Sequence, residues 1–219
     1  MRRAYTGHAR SLRRAARACG EKDGAKELAK KNIRAFEDIR ADYIVTNAGG
    51  CGAFLVDYGH LLKDDPEWAG RAEAFAAKIK DLAAVLVELG FQHEPLQLSP
   101  QTLTYQDSCH LRNVQRTSAE PRVLLQSIAG ADYREMREAD RRCGSAGIYN
   151  IVHSELSMQH LDEKMKNVRD TGAATIVTAN PGCLLQMQLG IEREGLSGRV
   201  RAVHIADLLM ESIGTKQEN

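Results

Sequence analysis

Short apolar runs alternate with longer amphipathic stretches along most of this chain. Residues 22–39 place apolar side chains at every third or fourth position with charged residues between them, which is the pattern of an amphipathic helix. Residues 42–46 (DYIVT) are mostly β-branched or aromatic and run into a glycine-rich turn, which predicts a short buried strand. A second helix is expected over residues 53–62.

The next apolar pattern predicts one long helix. Pro66 suits a first helical turn, and apolar residues then continue at helical spacing to Gly90, a typical helix stop. Residues 91–101 contain two prolines and predict a linker. Residues 101–105 predict the strand that follows this linker.

The second half of the chain continues to alternate strands with helices. The expected elements are a helix at 120–128, a weakly patterned strand at 133–138, a helix at 154–169, a strand at 175–178, a helix at 184–191, a strand at 200–203 and a helix at 205–213. Such alternation indicates the α/β class, with helices covering both faces of a parallel sheet.

One internal repeat divides the chain. Residues 44–51 (IVTNAGGC) are echoed by residues 176–183 (IVTANPGC), and the distance between them is far longer than the period of about 20–50 residues of a solenoid. We therefore predict two related units with parallel-sheet βαβ organisation, the first of them incomplete. The first unit covers residues 1–94, including an arginine-rich start, and the second covers residues 95–219.

Composition narrows the functional classes. The 219 residues carry 30 Lys and Arg against 29 Asp and Glu, and a net charge of +1 gives no reason to expect nucleic-acid binding. No apolar run approaches the roughly 18 residues of a membrane span, so contact with a membrane is expected only indirectly, through a partner. The first 17 residues hold six arginines and no acid, like a transit peptide, although a solvated helix or irregular start is the favoured interpretation.

The five cysteines are odd in number and far apart, which argues against a secreted disulfide scaffold and for a reducing, cytoplasmic location. Cys109, Cys143 and Cys183 each follow a short apolar run and lie in a turn. The carboxyl ends of parallel strands meet at one edge of a sheet, so these cysteines are expected to converge there. In a reducing compartment, converging cysteines indicate a metal or iron–sulfur site.

Two alternatives stay open for these residues. Each cysteine taken alone is more typical of a small buried hydrophobic residue, but packing does not require cysteine in three turns that bear Gly, Pro or Asp. A complete tetrahedral site or cubane cluster needs four ligands. His110 is a further candidate ligand, although a hydrogen bond to the loop is the favoured interpretation for it.

The chain has no dinucleotide-binding, Walker or nucleophile-elbow motif, so nucleotide binding and acyl transfer have little support.

Residues 105–111 (YQDSCHL), 142–150 (RCGSAGIYN) and 171–186 (TGAATIVTANPGCLLQ) resemble the cysteine-rich CCG domain family. This family includes glycolate oxidase iron–sulfur subunits, lactate-utilisation proteins and one of the subunits of heterodisulfide reductase. Residues 47–52 and 58–66 are similar to the preceding repeat of the glycolate oxidase subunits. The resemblance implies a non-catalytic subunit that relays electrons from an FAD-binding 2-hydroxy-acid oxidase subunit toward the respiratory chain, at the inner face of the cytoplasmic membrane.

The resemblance also implies an iron–sulfur (4Fe–4S) cluster held by Cys109, Cys143 and Cys183, with Cys51 a further candidate ligand in the first repeat. The paired cysteines of the family are here Arg142 and Cys143, and no ferredoxin-like cysteine run occurs. We therefore expect an incomplete cluster, with the Arg142 charge lowering the pKa of the Cys143 thiol. The alternative is a truncated or degenerate CCG interaction module, metal-free or stabilised by zinc.

The geometry of such a site can also be predicted. The sulfur atoms of the three cysteines of the second unit should lie about 4 to 7 Å apart if they share a metal at about 2.3 Å. Cys51 is expected in a separate half-site, and Cys19 and Cys51 are not expected to complete a metal site between them. These expectations treat the chain as the C-terminal part of such a subunit.

Overall fold

The computed structural model describes residues 22–214, so the arginine-rich start and Cys19 lie outside the described part of the chain. In chain order the elements are α1 (Lys22–Glu37), β1 (Ile44–Thr46), α2 (Gly49–Val56), α3 (Tyr58–Leu61), α4 (Ala69–Ala76), β2 (Ile79–Asp81), α5 (Leu82–Glu88), a short 3-10 helix (Phe91–His93), β3 (Gln97–Gln106), α6 (Cys109–Val114), α7 (Ala119–Gln126), β4 (Ala129–Tyr133), α8 (Tyr149–Val152), α9 (Ser154–Thr171), β5 (Thr175–Thr178), α10 (Pro181–Arg193), β6 (Arg201–His204) and α11 (Ile205–Gly214).

The strands form two sheets whose strand pairs are all parallel. β1 pairs with β2, and the larger sheet has the order β4-β3-β5-β6. All four residues of β5 are buried, as expected for an inner parallel strand that helices cover on both faces. The α/β class and the parallel βαβ organisation are therefore confirmed.

The described residues bury their apolar side chains in distinct clusters. The first unit packs α1 against α3 and α4, and the fully buried Tyr58 stacks on Phe75 with ring centroids 5.5 Å apart. The Tyr58 hydroxyl accepts a hydrogen bond of 2.9 Å from the side chain of Asn32, which satisfies it inside the core. The larger sheet buries one cluster on each face, and one of them contains Cys143 and Cys183.

The predicted long helix at 66–90 is wrong. The structure divides this segment into α4, strand β2 and α5. Ile79 pairs with Ile44 of β1, and the side chain of Asp81 accepts a 2.8 Å hydrogen bond from the Ala83 N–H to begin α5. Apolar residues at helical spacing hid this break, because a strand of only three residues shows too few alternations to be recognised.

Other boundaries also differ from the sequence predictions. β3 already begins at Gln97, inside the predicted linker, and a register irregularity between Gln97 and Gln101 accommodates Pro100, which lacks an N–H. The strand predicted at 133–138 is wrong, because β4 covers residues 129–133 as a half-exposed edge strand without clear alternation. The helix predicted at 53–62 is two helices, α2 and α3, and it starts earlier. Within residues 22–214, no helix is long and apolar enough to cross a bilayer.

Candidate functional site

Three strands of the two sheets lead almost directly into helices that carry cysteines. β1, β3 and β5 precede α2, α6 and α10, and the first turns of these helices contain Cys51, Cys109 and Cys183, respectively. Cys143 lies in the turn between β4 and α8. Because the strands are parallel, their carboxyl ends place these helix starts at one edge of the sheets.

The structure brings Cys143 and Cys183 into contact. Their Sγ atoms are 3.3 Å apart, and both side chains are buried, with 4% and 3% of their surface exposed. This separation is shorter than the range that we expected for ligands of a shared metal. The two thiols therefore form a close buried pair in the structure as it stands.

Opposite pKa shifts distinguish the two thiols. The hydrogen bond with Cys183, helped by the backbone N–H of Ser145 and the charge of Lys164, lowers the pKa of Cys143 to about 7 against the effect of burial. The same contact with Cys143, together with burial, raises the pKa of Cys183 well above its ordinary value. Cys143 is therefore the thiol of the pair that ionises first as the pH rises through about 7, while Cys183 stays protonated.

Cys109 is on the same edge but is less deeply placed. Its Sγ lies 3.4 Å from the Nδ1 atom of His110, and its side chain is half-buried. After the contact with Cys143 and burial, the charge of Cys109 also contributes to the raised pKa of Cys183. Across residues 22–214, no three His, Cys, Asp or Glu side chains stand together in an arrangement that could hold a metal ion. The preformed part of the site is the pair of Cys143 and Cys183.

The helix that carries Cys51 abuts the start of α10. The N–H of Gly49 donates to the carbonyl of Ala179 at 3.1 Å, and the N–H of Gly50 donates to the Asn180 side chain at 3.0 Å. The first unit therefore contributes backbone to the cysteine edge. Cys51 follows these two glycines directly. It therefore lies closer to the second unit than we expected for a cysteine of a separate half-site.

Two glycines allow the turn with Cys143 to lie close to its neighbours. Gly144 has φ +92°, and a Cβ atom there would be 2.5 Å from the backbone oxygen of Ser157 in α9. At Gly182 in α10, a Cβ atom would be 2.7 Å from Oγ of Ser145. Since real Cβ atoms do not approach other atoms this closely, the approach of the cysteine turn to α9 and α10 depends on these glycines.

A buried lysine supports the segment before Cys143. Lys164 of α9 has no exposed surface, and its Nζ donates to the backbone oxygens of Glu138 at 2.6 Å and Ala139 at 3.2 Å. Burial lowers the pKa of Lys164 to about 8. The expectation for Arg142 is wrong in this respect: the Arg142 side chain is exposed, and the cation that lowers the pKa of Cys143 is Lys164.

A buried carboxylate anchors the turn before Cys109. Asp107 accepts hydrogen bonds from Arg122 at 3.0 and 3.1 Å and from Arg112 at 3.3 Å. Its backbone N–H donates to the carbonyl of Ala139, which Lys164 also contacts. Asp107 thereby links the turn before α6 to the segment that leads to Cys143.

Sequence reasoning gave no role to three supporting residues, Lys164, Arg122 and Asn180, although Asn180 lies in the repeated segment 176–183. Lys164 gave a usable signal, because it interrupts the apolar stripe of Leu161, Met165 and Val168 on α9. A lysine on a buried helix face needs acceptors, which points to a polar contact in the core. The contacts of Arg122 and Asn180 depend on tertiary packing and gave no comparable signal.

Comparisons with known proteins place these features in a family context. The profile of the CCG cysteine-rich domain family matches residues 14–56 and 103–188. The chain is 66% identical over 198 residues to the probable glycolate oxidase iron–sulfur subunit of Bacillus subtilis (strain 168), which covers 90% of this chain and 45% of that relative. It is 35% identical over 190 residues to lactate utilization protein A of Bacillus cytotoxicus, covering 87% of this chain and 78% of that relative.

One solved structure has the same fold. A hypothetical protein from Helicobacter pylori superimposes with a TM-score of 0.60 at 13% sequence identity, covering 89% of this chain and 39% of that one. At this identity the likeness concerns the fold alone. The chain thus spans less than half the length of two of the proteins that it matches, and most of the length of the third.

Proposed function

Because the chain belongs to the cysteine-rich CCG domain family, we propose that it is the iron–sulfur part of a complex that oxidises glycolate or a related 2-hydroxy acid. The observation that carries this proposal is the buried contact of Cys143 with Cys183, 3.3 Å between sulfur atoms, with Cys109 on the same edge. The name of the 66% identical relative, a probable glycolate oxidase iron–sulfur subunit, supports the substrate class.

The residues present fit an iron–sulfur cluster in donor chemistry. Thiolates are the usual ligands of such clusters, and the pKa of Cys143, lowered to about 7, makes this thiol the easier of the pair to deprotonate. Cys109, Cys143 and Cys183 would hold the cluster. When bound, the cluster supplies one-electron transfer.

The remaining residues hold and shield this site. Lys164 and Asp107 fix the two segments that carry Cys143 and Cys109, and the buried position of Cys143 and Cys183 excludes water. The backbone N–H of Ser145 points to the sulfur of Cys143. Such donors and burial tune the reduction potential of a cluster. In this account the chain relays electrons from an FAD-binding oxidase subunit toward the respiratory chain and performs no chemistry on the hydroxy acid itself.

A second candidate function is a metal-free interaction module that keeps the fold. The exposed Arg142, in place of one cysteine of the family pair, favours this alternative because a guanidinium cannot ligate metal. The two functions differ in metal content.

The test is an analysis of the full chain purified under argon and reconstituted with iron and sulfide. We expect bound iron and sulfide in comparable amounts, together with a visible absorption that bleaches on one-electron reduction. The apo chain supplies the control spectrum. A colourless chain that retains no iron after desalting would reject the electron-transfer function and favour the interaction module.

A further inference from the structure

Asn180 begins helix α10, but its side chain does not cap that helix. Asparagine at this position commonly accepts a hydrogen bond from a backbone N–H two or three residues later, which is worth about 1 kcal/mol. Here no such bond forms. Oδ1 of Asn180 instead accepts the N–H of Gly50 at 3.0 Å, and Nδ2 lies 3.5 Å from Sγ of Cys183. One side chain therefore contacts the first unit through its oxygen and a candidate ligand through its nitrogen.

The contact between Asn180 and Gly50 also replaces a missing N-terminal cap on helix α2. The first N–H groups of α2 have no partner within their own helix, and Ala48, which precedes it, offers no side-chain cap. The N–H of Gly49 is satisfied by the carbonyl of Ala179, and the N–H of Gly50 by the side chain of Asn180. Two successive donors of α2 thus bind two successive residues of the turn before α10, which fixes the mutual position of the two helix starts.

The surroundings also leave room for the amide group. A Cβ atom on Gly182 would lie 3.3 Å from Nδ2 of Asn180 and 2.7 Å from Oγ of Ser145. The absence of a side chain at residue 182 lets the Asn180 amide and the turn with Cys143 lie on the same side of α10. Since the amide oxygen is held by an N–H donor, the NH2 group is the part that faces the sulfur.

We propose that Asn180 is a positioning residue of the cysteine site, which holds Cys183 against Cys143 and couples both to the first unit. Where the sulfur of Cys183 binds a cluster, which rests on the proposed function, the Nδ2–H group donates to that sulfur and stabilises the reduced state. The first unit thereby acts on the site through the N–H of Gly50.

The first experiment uses the reduced, iron-free full chain and measures hydrogen exchange of the Gly50 amide. Asn180→Leu removes both contacts, whereas Asn180→Asp keeps an oxygen for Gly50 and removes the donor to Cys183. We expect exchange roughly tenfold faster in Asn180→Leu, as for the loss of one hydrogen bond, and near the wild-type rate in Asn180→Asp. Asn113→Leu, at an exposed position of α6, is the control and should leave the rate unchanged. An unchanged Gly50 rate in Asn180→Leu would overturn the coupling.

The second experiment measures the midpoint potential of the reconstituted cluster. Both Asn180 variants should shift the potential downward because they lose a donor to sulfur, while Asn113→Leu should not shift it. An unchanged potential in both Asn180 variants would overturn the role of Asn180 toward Cys183. If the wild-type chain takes up no cluster, the proposed function fails, and the Gly50 exchange rates alone then decide the positioning role.

Discussion

At the scale of single residues, the two cysteines in contact differ in how readily their thiols lose a proton. Cys143 and Cys183 are equally buried and in contact, yet the pKa of Cys143 is lowered to about 7 and that of Cys183 is raised. The cation that helps to lower the pKa of Cys143 is the buried Lys164, not Arg142, which is its neighbour in sequence. The positions of Cys109 and Cys183 at helix starts could be predicted from sequence because each follows a strand closely, whereas the strand predicted before Cys143 was wrong. Lys164 lies on α9 and contacts the segment before Cys143 only through tertiary packing, so its hydrogen-bond partners could not be predicted.

The glycines of the cysteine turn offer a matched pair for substitution. Gly147 has φ +73° with open space around it, so Gly147→Ala should cost only the backbone strain, about 1 kcal/mol. Gly144 combines φ +92° with a backbone oxygen 2.5 Å from the new Cβ atom, so Gly144→Ala should cost at least about 3 kcal/mol. Urea unfolding of the reduced, iron-free chain measures both. Equal losses would show that the close approach to Ser157 is not maintained in solution.

At the scale of elements, β2 shows where periodicity fails. The pattern through residues 66–90 is compatible with one helix, and only the pairing with β1 makes residues 79–81 a strand. Asp81 carried a usable signal, because an aspartate directly before an apolar run is a typical helix N-cap. β5 was predicted with its observed ends, because its TIVT sequence is β-branched throughout and bounded by turn residues.

Asp81 also makes a prediction about pH. Burial raises its pKa from 3.8 to about 6, so the folded state binds a proton more tightly than the unfolded state does. The free energy of unfolding should therefore fall as the pH rises from about 4 to about 6, by about 3 kcal/mol at most, and stay level above that. Asp81→Asn keeps the oxygen that caps α5 and removes the titration.

Urea unfolding between pH 4 and 7 measures this effect as the difference in unfolding free energy between the variant and the wild-type chain. Asp81→Asn should gain relative stability as the pH rises. Asp81→Ala, which removes the cap as well, is the comparison and should be less stable than Asp81→Asn at every pH. A constant difference between Asp81→Asn and wild type would contradict the raised pKa.

At the scale of the whole molecule, the sequence repeat corresponds to a physical contact. The echoed segments form β1–α2 and β5–α10, and the starts of their helices are hydrogen-bonded to each other. The repeat itself was visible in sequence. The contact between the two repeated segments was not visible in sequence, because it joins residues about 130 positions apart through an amide side chain. The division at residues 94 and 95 stays a prediction, and Ala83 of α5 packs in the core of the larger sheet.

The proposed function requires Cys109, Cys143 and Cys183 to hold an iron–sulfur cluster. The most direct measurement is the iron and sulfide content of single serine variants, reconstituted under argon and desalted beside the wild-type chain. Serine at any of these three positions should reduce bound iron by roughly tenfold or more, because a thiolate ligand is lost. Cys51→Ser, at another cysteine on the same edge, should retain wild-type iron. Full iron retention in Cys143→Ser and Cys183→Ser, or its loss in Cys51→Ser alone, would contradict the account.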